Sequence, residues 1–305
     1  MSKFKKIIKS LISLIFSFIF IIDFNFNNEN RKNIPNLKVA LCTMGRKENL
    51  YAKEYINYYI KLGIDHIFIY DDNDQGSEKI SDVIDNSYEK YVTIYENITQ
   101  TIKNQPNAFT SCYNNNKKKY DWFLMLDMDE FLFIVNDTLK NYLTKNYLKK
   151  CDFITIHWVL ATDNNLLHYE NRSLFKRFKG PYLKSCLFKT LVRGNIDDLK
   201  YDIHSFDSSP KRNITCNNIG KIVTNNISQH FYEKGFVNIE KAYIIHFKFK
   251  STEEFINKFK RGYRNWFSRH FIKKRIKEYF KYNEITHEKI KYLERELGLN
   301  LTYYK

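Results

Sequence analysis

The sequence predicts an α/β domain in which a mostly parallel sheet is flanked by helices. After Leu37, short apolar segments alternate with amphipathic ones, which is typical of strand-helix-strand units. Two of the apolar runs end abruptly in acidic residues, at the strand ends where such sheets bind ligands. Hydrophobic residues make up 43% of the 305 residues, enough to build a packed core.

The first strand-helix unit follows from the pattern between residues 37 and 63. Leu37–Thr43 is predicted as a strand, and residues 44–49 as a polar turn that begins a helix. The helix runs to Leu62, and Gly63 is expected to end it, since glycine readily adopts the left-handed conformation of a helix C-terminus. One apolar face is predicted, formed by Tyr51, Tyr55, Tyr58, Tyr59 and Leu62.

Three further strands and a helix complete the predicted sheet. They are His66–Tyr70, Tyr91–Tyr95, a helix at Ala108–Lys119, and a strand at Trp122–Leu126. The acids at 71–74 and at 127–130 should lie at one edge, because the carboxyl ends of parallel strands meet there. Acids after the second strand are also preferred helix caps, so capping and ligand contact both stay open for them.

The acidic block after the fourth strand is the strongest functional signal. Asp127, Asp129 and Glu130 directly follow the apolar run. If the backbone stays extended, carboxylates at positions i and i+2 point the same way and can share a divalent ion with a bound diphosphate. The alternative is a solvated acidic turn, but carboxylates beside a buried strand are costly unless a cation or hydrogen-bond donors offset them.

The N-terminus predicts a membrane anchor at residues 1–24, followed by a polar stem at residues 25–36. Lysines precede an apolar run at Ile7–Ile22, and no small residues suggest a cleavage site after it. Positive charge before the run keeps the N-terminus cytosolic, so a single-pass anchor places the remaining domain in the lumen or outside if the cell is eukaryotic. A segment lying flat in the membrane interface would instead leave the domain cytosolic.

Charge and cysteine content narrow the class further. The net charge of +16 suits an acidic ligand or an anionic membrane surface. Nucleic acid is not expected as a partner, because the basic residues are spread along the chain without zinc-finger spacing or an RNA-binding motif. The five cysteines include no C-x-x-C pair, so neither a zinc site nor a disulfide framework is predicted, and at least one thiol stays unpaired.

Residues 127–131, Asp-Met-Asp-Glu-Phe, resemble the D-x-D motif of GT-A glycosyltransferases, and the surroundings are similar to family 92 and the related family 2 enzymes. The segments that carry the resemblance, in order, are Val39–Glu48, Glu54–Ile56, Leu62–Ile64, Ile67–Asp72, Trp158, Phe188–Arg193, His204–Phe206, His246–Phe247, Lys250–Ser251 and Lys260–Gly262. The resemblance spans Leu37 to Trp266. It implies a GT-A-like glycosyltransferase domain at residues 37–270, followed by a basic helical extension at residues 271–305.

The resemblance also implies the chemistry. A family 92 enzyme of the hexosyltransferase class transfers a sugar from a nucleotide-diphosphate donor, here UDP-sugar by preference, to a glycan or glycoconjugate, with inversion and with Mn²⁺ or Mg²⁺. The residues implied for the donor are Thr43, Arg46, Asp71, Asp72, Asp127, Lys189 and Arg193. The metal ligands implied are Asp127, Asp129, His204 and His246.

The catalytic base is predicted to be Asp163 or Glu170, in the segment after Trp158 that should border the acceptor. This segment lacks the glycine-containing loop that the resemblance leads one to expect, which leaves a catalytically degenerate, membrane-tethered carbohydrate-binding protein as an alternative. A haloacid-dehalogenase-type phosphatase would use Asp127 as nucleophile and Asp129 as acid/base. It is disfavoured because Phe131 fills a place where a small Thr or Val is usual.

Overall fold

The computed structural model of the chain describes residues 36–96, 98, 102, 104–202, 205–207, 213–223, 237–260 and 269–301. These residues form two compact units. The sheet unit contains the described residues up to 159 and from 184 to 246, and the helical unit contains 160–183 and those from 247 onwards. The predicted anchor and all of the predicted stem except residue 36 lie outside the described residues. Within the described ranges, no helix has the length and apolar character needed to cross a membrane.

The strands of the main sheet are β1 Val39–Gly45, β2 His66–Asp71, β3 Val92–Tyr95, β4 Trp122–Met125, β5 Glu130–Ile134, β6 Phe153–Ala161, β7 Tyr182–Arg193, β10 Thr215–Asn217 and β11 Ala242–His246. A separate small sheet pairs β8 Lys200–Asp202 with β9 Ser205–Asp207. The order of the main sheet is β3-β2-β1-β4-β7-β6-β11-β5, and β10 pairs with β6.

The main sheet is mixed, so the expectation of a mostly parallel sheet holds for one half of it. Strands β3, β2, β1 and β4 are parallel neighbours. Beyond β4 the direction changes, because β7 pairs with β4 antiparallel and β11 pairs with β5 antiparallel. The parallel half is the part that the strand-helix alternation in the sequence predicted.

The helices of the sheet unit are α1 Asn49–Leu62, α2 Ile80–Val83, α3 Gln105–Asn116 and α4 Leu139–Leu143. Gly63 ends α1 in the left-handed conformation, with φ of 102°, which confirms the predicted stop. The buried face of α1 differs slightly from the prediction, because two small or aliphatic residues join three tyrosines. It consists of Tyr51, Ala52, Tyr55, Ile56 and Tyr59.

The register of the parallel half fixes where the predicted site residues lie. Gly45 at the end of β1 is opposite Asp71 at the end of β2, and Cys42 is opposite Met125 at the end of β4. All three strands run the same way, so their carboxyl ends lie at one edge. The predicted meeting of the two acidic segments at one edge of the sheet is confirmed.

Two disulfides join distant parts of the sheet unit, and the cysteine spacing in the sequence did not imply either of them. Cys42 in β1 pairs with Cys112 in α3, and Cys151 pairs with Cys216 in β10. Cys186 keeps a free thiol, as the odd count requires. Spacing alone did not reveal the pairs, because the partners are separated by 70 and 65 residues.

The helical unit contains α5 Leu174–Arg177, α6 Thr252–Lys260, α7 Arg269–Tyr282 and α8 His287–Leu297. The last two helices come from the segment that was predicted as a basic extension. They pack with α6 around a shared apolar core of Phe249, Phe255, Ile256, Phe259, Ile276, Tyr279, Phe280, Ile290, Leu293 and Leu301. Burial of these side chains supplies the main driving force for this packing.

Candidate active site

Residues 127–129 form a turn between β4 and β5, rather than a continuation of β4. The backbone N–H of Glu130 donates to the carbonyl of Asp127 at 3.1 Å, and Glu130 Oε2 accepts from the N–H of Asp127 at 3.0 Å. The expectation that an extended backbone aligns the Asp127 and Asp129 carboxylates is therefore wrong. The turn directs the two carboxylates to different partners.

Asp127 forms an ion pair with Lys189, which β7 supplies. Lys189 is 1% exposed, and its Nζ lies 3.0 Å from Asp127 Oδ2 and 3.6 Å from Glu130 Oε2. Gln105, at the start of α3, donates to Asp127 Oδ1. Burial acts to raise the pKa of Asp127, but the Lys189 ammonium outweighs it, so this pKa is lowered. Burial likewise opposes the charge on Lys189, yet the two carboxylates raise its pKa. The pair is ionised.

Glu130 is completely buried beneath the turn. Its backbone carbonyl accepts a hydrogen bond from the Tyr59 hydroxyl at 2.8 Å, and the same hydroxyl accepts from Leu132 N at 3.0 Å. Within the described residues, Glu130 Oε1 has no hydrogen-bond partner. Burial raises the pKa of Glu130 well above its usual value, although Lys189 opposes the shift. A proton or a further cation would satisfy this carboxylate.

Asp129 faces His246, the last residue of β11. His246 lies opposite Glu130 in the antiparallel register, and its Nε2 is 3.3 Å from Asp129 Oδ1. The edge of the imidazole ring meets Trp158, with ring centroids 4.4 Å apart. The structure therefore brings Asp127, Asp129, Lys189 and His246 together around one turn, and we call these residues with Glu130 the acidic cluster.

The side-chain oxygen and nitrogen atoms of the acidic cluster suit a hard divalent cation whose coordination is completed by substrate oxygens. One ammonium, that of Lys189, serves the two carboxylates of Asp127 and Glu130. Glu130 Oε1 makes no hydrogen bond within the described part of the chain, and His246 Nδ1 lies 3.9 Å from it. No three acidic, histidine or cysteine side chains among the described residues form a complete metal cage. Mg²⁺ needs no such cage, because one or two carboxylates and substrate phosphates commonly suffice.

Asp71 organises the loop after β2. It is 1% exposed; Oδ1 accepts from Asn73 N at 2.8 Å, and Oδ2 accepts from Ile80 N at 2.7 Å. Ile80 begins α2, so the carboxylate caps the start of that helix. The N-cap residue itself is Lys79, so Asp71 supports the start of α2 from outside the helix, and contact with a donor stays a prediction.

Arg46 follows β1 and lies at the same edge of the sheet. Its Nη1 donates to the carbonyl of Asp72 at 2.9 Å, and its Nη2 is 2.8 Å from Asp74 Oδ1. The backbone N–H of Asp72 in turn donates to Gly45 O at 2.8 Å. Thr43 is buried within β1. The predicted donor residues Thr43, Arg46 and Asp72 therefore share the region between β1 and β2.

Arg193 is not brought to the acidic cluster. It is the last residue of β7 and lies opposite Trp122, the first residue of β4, whereas Asp127 follows the other end of β4. Its guanidinium stacks 4.5 Å from the centre of the Trp122 ring and donates to the carbonyl of Cys151. Burial lowers the pKa of Arg193. These contacts place Arg193 at the end of the sheet opposite the acidic cluster.

Asp163 belongs to the helical unit and is tightly bonded there. It is 1% exposed, and Lys289 Nζ lies 2.7 Å from its Oδ2, which also accepts from the Tyr279 hydroxyl. Its Oδ1 accepts from Asn165 N at 2.9 Å. Both carboxylate oxygens are therefore occupied within this unit.

Glu170 is the more accessible of the two predicted bases. Its side chain is 38% exposed, and Oε2 pairs with Arg172. His204, the remaining predicted ligand, lies outside the described residues.

The sequence interpretation missed the role of Gln105. A local signal was present, because Asn104 caps the start of α3 by accepting from Asn107 N at 3.0 Å, and Pro106 follows at the second helical position. That signal places the beginning of α3 at residue 105, three residues earlier than predicted. It does not reveal that the helix begins beside Asp127.

A sequence model of glycosyltransferase family 92 matches residues 36–283, which is most of the chain. The chain belongs to glycosyltransferase family 92. The range of this family 92 chain that matches contains both the acidic cluster and Asp163.

Relatives of this family 92 chain match it in part. A family 92 protein of Oryza sativa subsp. japonica is 35% identical over 115 residues, covering 37% of this chain and 19% of that protein. One of Arabidopsis thaliana is 27% identical over 126 residues, covering 41% and 21%. The matches thus span about a fifth of these relatives' lengths. Mannosyl-3-phosphoglycerate synthase from Rubrobacter xylanophilus aligns at 14% identity over 52% of this chain and 54% of that chain, with a TM-score of 0.31.

Proposed function

We propose that the chain is a metal-dependent glycosyltransferase that transfers a sugar from a UDP-sugar to a glycan or glycoconjugate with inversion. Membership of family 92 supports the transferase class. The observation that carries the assignment is the acidic cluster, in which Asp129 faces His246 beside the Asp127–Lys189 pair. The cluster follows β4 at the carboxyl edge of the parallel strands, where α/β sheets bind ligands.

In this proposal Asp129 and His246 hold a Mn²⁺ or Mg²⁺ ion together with oxygens of the donor diphosphate. When bound, the ion neutralises the charge that develops on the leaving diphosphate. Asp127 stays ionised through Lys189, and Gln105 fixes its other oxygen. These two contacts hold the Asp127 carboxylate in one position beside the proposed donor site.

The region between β1 and β2 is proposed to take the rest of the donor. Arg46 is 21% exposed in its side chain and is held by Asp74, so its guanidinium can contact phosphate oxygens at the edge of the sheet. Asp72 is proposed to contact the nucleotide base, with Thr43 beside it. Asp71 is proposed to act indirectly, because its carboxylate fixes the loop that carries Asp72.

Glu170 is proposed as the base that removes the proton from the acceptor hydroxyl. A general base needs an available lone pair. Glu170 Oε2 pairs with Arg172, while its side chain remains 38% exposed. Asp163 is the weaker candidate, because Lys289 and Tyr279 already bond to its buried carboxylate. We expect Glu170→Gln to retain donor binding and to lose transfer.

The alternative is a catalytically degenerate carbohydrate-binding protein. It is favoured by one observation, namely that the segment after Trp158 lacks the glycine-containing loop that the family resemblance leads one to expect. Such a protein would bind a saccharide but would neither bind a nucleotide sugar in a metal-dependent way nor hydrolyse it.

The full-length protein, purified in detergent, is to be tested with UDP-, GDP- and CMP-sugars in the presence of Mn²⁺ or EDTA. Thermal stability and sugar release are measured for the wild type and Asp129→Asn. We expect one donor class to stabilise the protein and to be hydrolysed slowly, with both effects lost in EDTA and in the variant. A wild type that responds to no donor contradicts the proposal.

We further propose that the domain is anchored by residues 1–24 and lies in the lumen or outside the cell. The two disulfides of the sheet unit support an oxidising compartment, because disulfides are rare in the reducing cytosol. Mass spectrometry of the protein after rapid alkylation in its native host tests this. Free thiols at Cys42 and Cys112 would contradict it.

A further inference from the structure

A cavity of about 410 Å³ lies within the helical unit, beside α7 and the loop after β6. This volume falls within the range of roughly 300–1,000 Å³ that is usual for small-molecule sites. Its lining is dominated by amide, hydroxyl and carboxylate side chains. They include Thr162, Asn164, Asn165, Tyr282, Asn283 and Glu284.

The wall of the cavity is held in place by a buried ion pair. Lys289 Nζ binds Asp163 Oδ2 at 2.7 Å and Asn165 Oδ1 at 2.8 Å. Asn283 Oδ1 accepts from the backbone N–H of Asp163 at 2.7 Å, and its Nδ2 donates to the carbonyl of Tyr279 at 2.9 Å. These bonds fix the two asparagine amides, so the lining is organised before any ligand arrives.

A buried ion pair is a poor means of stabilising a fold, because the loss of hydration opposes the attraction between the charges. Asp163 and Lys289 are nevertheless only 1% and 2% exposed. Both members of the pair bond to Asn165, and these bonds orient Asn165 and the loop that carries it. The pair therefore acts as a positioning device for this cavity.

Polar groups on the lining remain available to a ligand. Asn164 Oδ1 accepts from the Thr162 hydroxyl at 3.1 Å, but across the described ranges neither Asn164 Nδ2 nor the Tyr282 hydroxyl makes a hydrogen bond to the protein. The Tyr282 ring is supported by Phe249, with ring centroids 5.9 Å apart. An aromatic ring beside amide donors suits a ligand with both C–H faces and hydroxyl groups.

The charge of the lining argues against an anionic ligand. The lining has no basic side chain, and it has two acidic ones, Asp163 and Glu284. The carboxylate of Asp163 is already bonded on both oxygens. A nucleotide or sugar phosphate would therefore be repelled, whereas a neutral polyhydroxy compound would find donors and acceptors.

We propose that this cavity binds a neutral saccharide, namely the sugar of the acceptor. The assignment to the acceptor rests on the proposed transferase function, whereas saccharide binding itself does not. Asn164 and Tyr282 make the hydrogen bonds to the saccharide, and the Asp163–Lys289 pair positions the loop that carries Asn164.

The test is saturation-transfer NMR on the full chain, in a detergent without a sugar headgroup and without nucleotide or metal. The probes are the methyl glycosides of galactose, glucose, mannose and N-acetylglucosamine, with glucuronic acid and glucosamine as charged comparators. The double variant Asn164→Asp/Tyr282→Phe removes the available donors while preserving side-chain shape. Its matched control, Asn114→Asp/Tyr292→Phe, makes the same changes at positions that do not line the cavity.

We expect at least one neutral glycoside to bind the wild type and the control equally. The affinity of the double variant should fall about thirtyfold, since two hydrogen bonds of roughly 1 kcal/mol each are at stake. Equal affinity in the double variant, or binding only of a charged comparator or of no probe, overturns the proposal. A chain that binds the glycoside but hydrolyses no nucleotide sugar supports this site and contradicts the proposed transferase.

Discussion

Each unit of the molecule contains an aspartate–lysine pair in which the lysine is buried, and the two pairs differ in how their charges are matched. In the sheet unit, Lys189 lies 3.0 Å from Asp127 but also 3.6 Å from Glu130. In the helical unit, Lys289 lies 2.7 Å from Asp163, which also accepts from the Tyr279 hydroxyl. One ammonium thus serves two carboxylates in the first case and one in the second.

The difference teaches how to separate a candidate site from its structural support. A buried charge is costly unless it is paired and hydrogen-bonded. Asp163 is fully satisfied by its own unit, so it can hold a loop in place without any ligand. Glu130 has an oxygen that makes no hydrogen bond among the described residues and lies 3.9 Å from His246 Nδ1, and we infer from this incompletely matched carboxylate that the acidic cluster is the place for a cation.

The most direct way to break this comparison is Asp129→Asn. The substitution keeps the shape of the side chain but removes the charge beside His246. A bound metal contributes several kcal/mol to charge neutralisation, so we expect sugar transfer to fall at least about 10³-fold. Transfer of radiolabelled sugar at saturating Mn²⁺ measures the effect.

Asp85→Asn serves as the control for that experiment, because Asp85 is a surface residue whose nearest ammonium, on Lys53, is 3.7 Å away. It should transfer sugar at the wild-type rate. If Asp129→Asn keeps more than a tenth of that rate, the acidic cluster is not the donor site.

The structural character of the second pair is tested by Lys289→Met. This change leaves Asp163 buried with an uncompensated charge, so the free energy of unfolding should fall by about 3 kcal/mol. Urea unfolding followed by circular dichroism measures the loss. Adding Asp163→Asn should restore at least half of it, because the stranded charge is then gone.

Lys291→Met is the matched control, since this lysine is an exposed neighbour on the same helix. It should unfold like the wild type. A Lys289→Met protein as stable as the control would show that the pair is not buried in solution.

A pH titration sharpens the comparison with a buried group outside both pairs. Burial lowers the pKa of His157 in β6 to about 4. The unfolded chain protonates this histidine near pH 6.5. The contribution of the neutral histidine to the free energy of unfolding is therefore complete above pH 6.5. It is lost as the pH falls towards 4, which lowers the free energy of unfolding by about 2–3 kcal/mol.

His157→Phe removes this titration and should give a flatter dependence of unfolding free energy on pH between 4 and 6.5. The difference between wild type and variant isolates the histidine from carboxylates that titrate in both. Parallel curves would mean that His157 is hydrated in the folded protein.

The smallest expected effect concerns the packing that positions the acidic turn. A Cβ at Gly45 would lie 2.3 Å from Met128 Sδ and 2.9 Å from Ile80 Cδ1. Gly45→Ala should therefore shift Met128, which lies between Asp127 and Asp129, and cost about 1–2 kcal/mol of stability. We expect transfer to slow by roughly tenfold. Gly45→Ala/Met128→Ala should recover part of the rate, whereas an unchanged rate in Gly45→Ala would separate this packing from catalysis.

Local sequence patterns predicted the parallel half of the fold. The apolar run at Trp122 is a fully buried strand, and Gly63 ends its helix as expected, because both features depend on neighbouring residues. The edge shared by Asp71 and Asp127 followed from the parallel order. Strand direction beyond β4 depends on distant pairings, which no local pattern records.

The two aspartate–lysine ion pairs could not be predicted from the sequence. Lys189 meets Asp127 across 62 residues, and Lys289 meets Asp163 across 126, so only the folded chain reveals which acid is compensated. The turn at residues 127–129 was missed for a different reason. Its cause is the Glu130 carboxylate bonding back to the Asp127 N–H, whereas the sequence suggested a continuing strand.

The cysteine pairs of the sheet unit are consecutive along the chain, not interleaved. As the ribosome delivers the chain from its N-terminus, Cys42 and Cys112 can join before Cys151 has been made. Cys186 is delivered after Cys151 but before Cys216, so it is the first new thiol that Cys151 meets. We therefore expect any mispairing during synthesis to join Cys151 to Cys186, because this surplus thiol is made before the native partner Cys216.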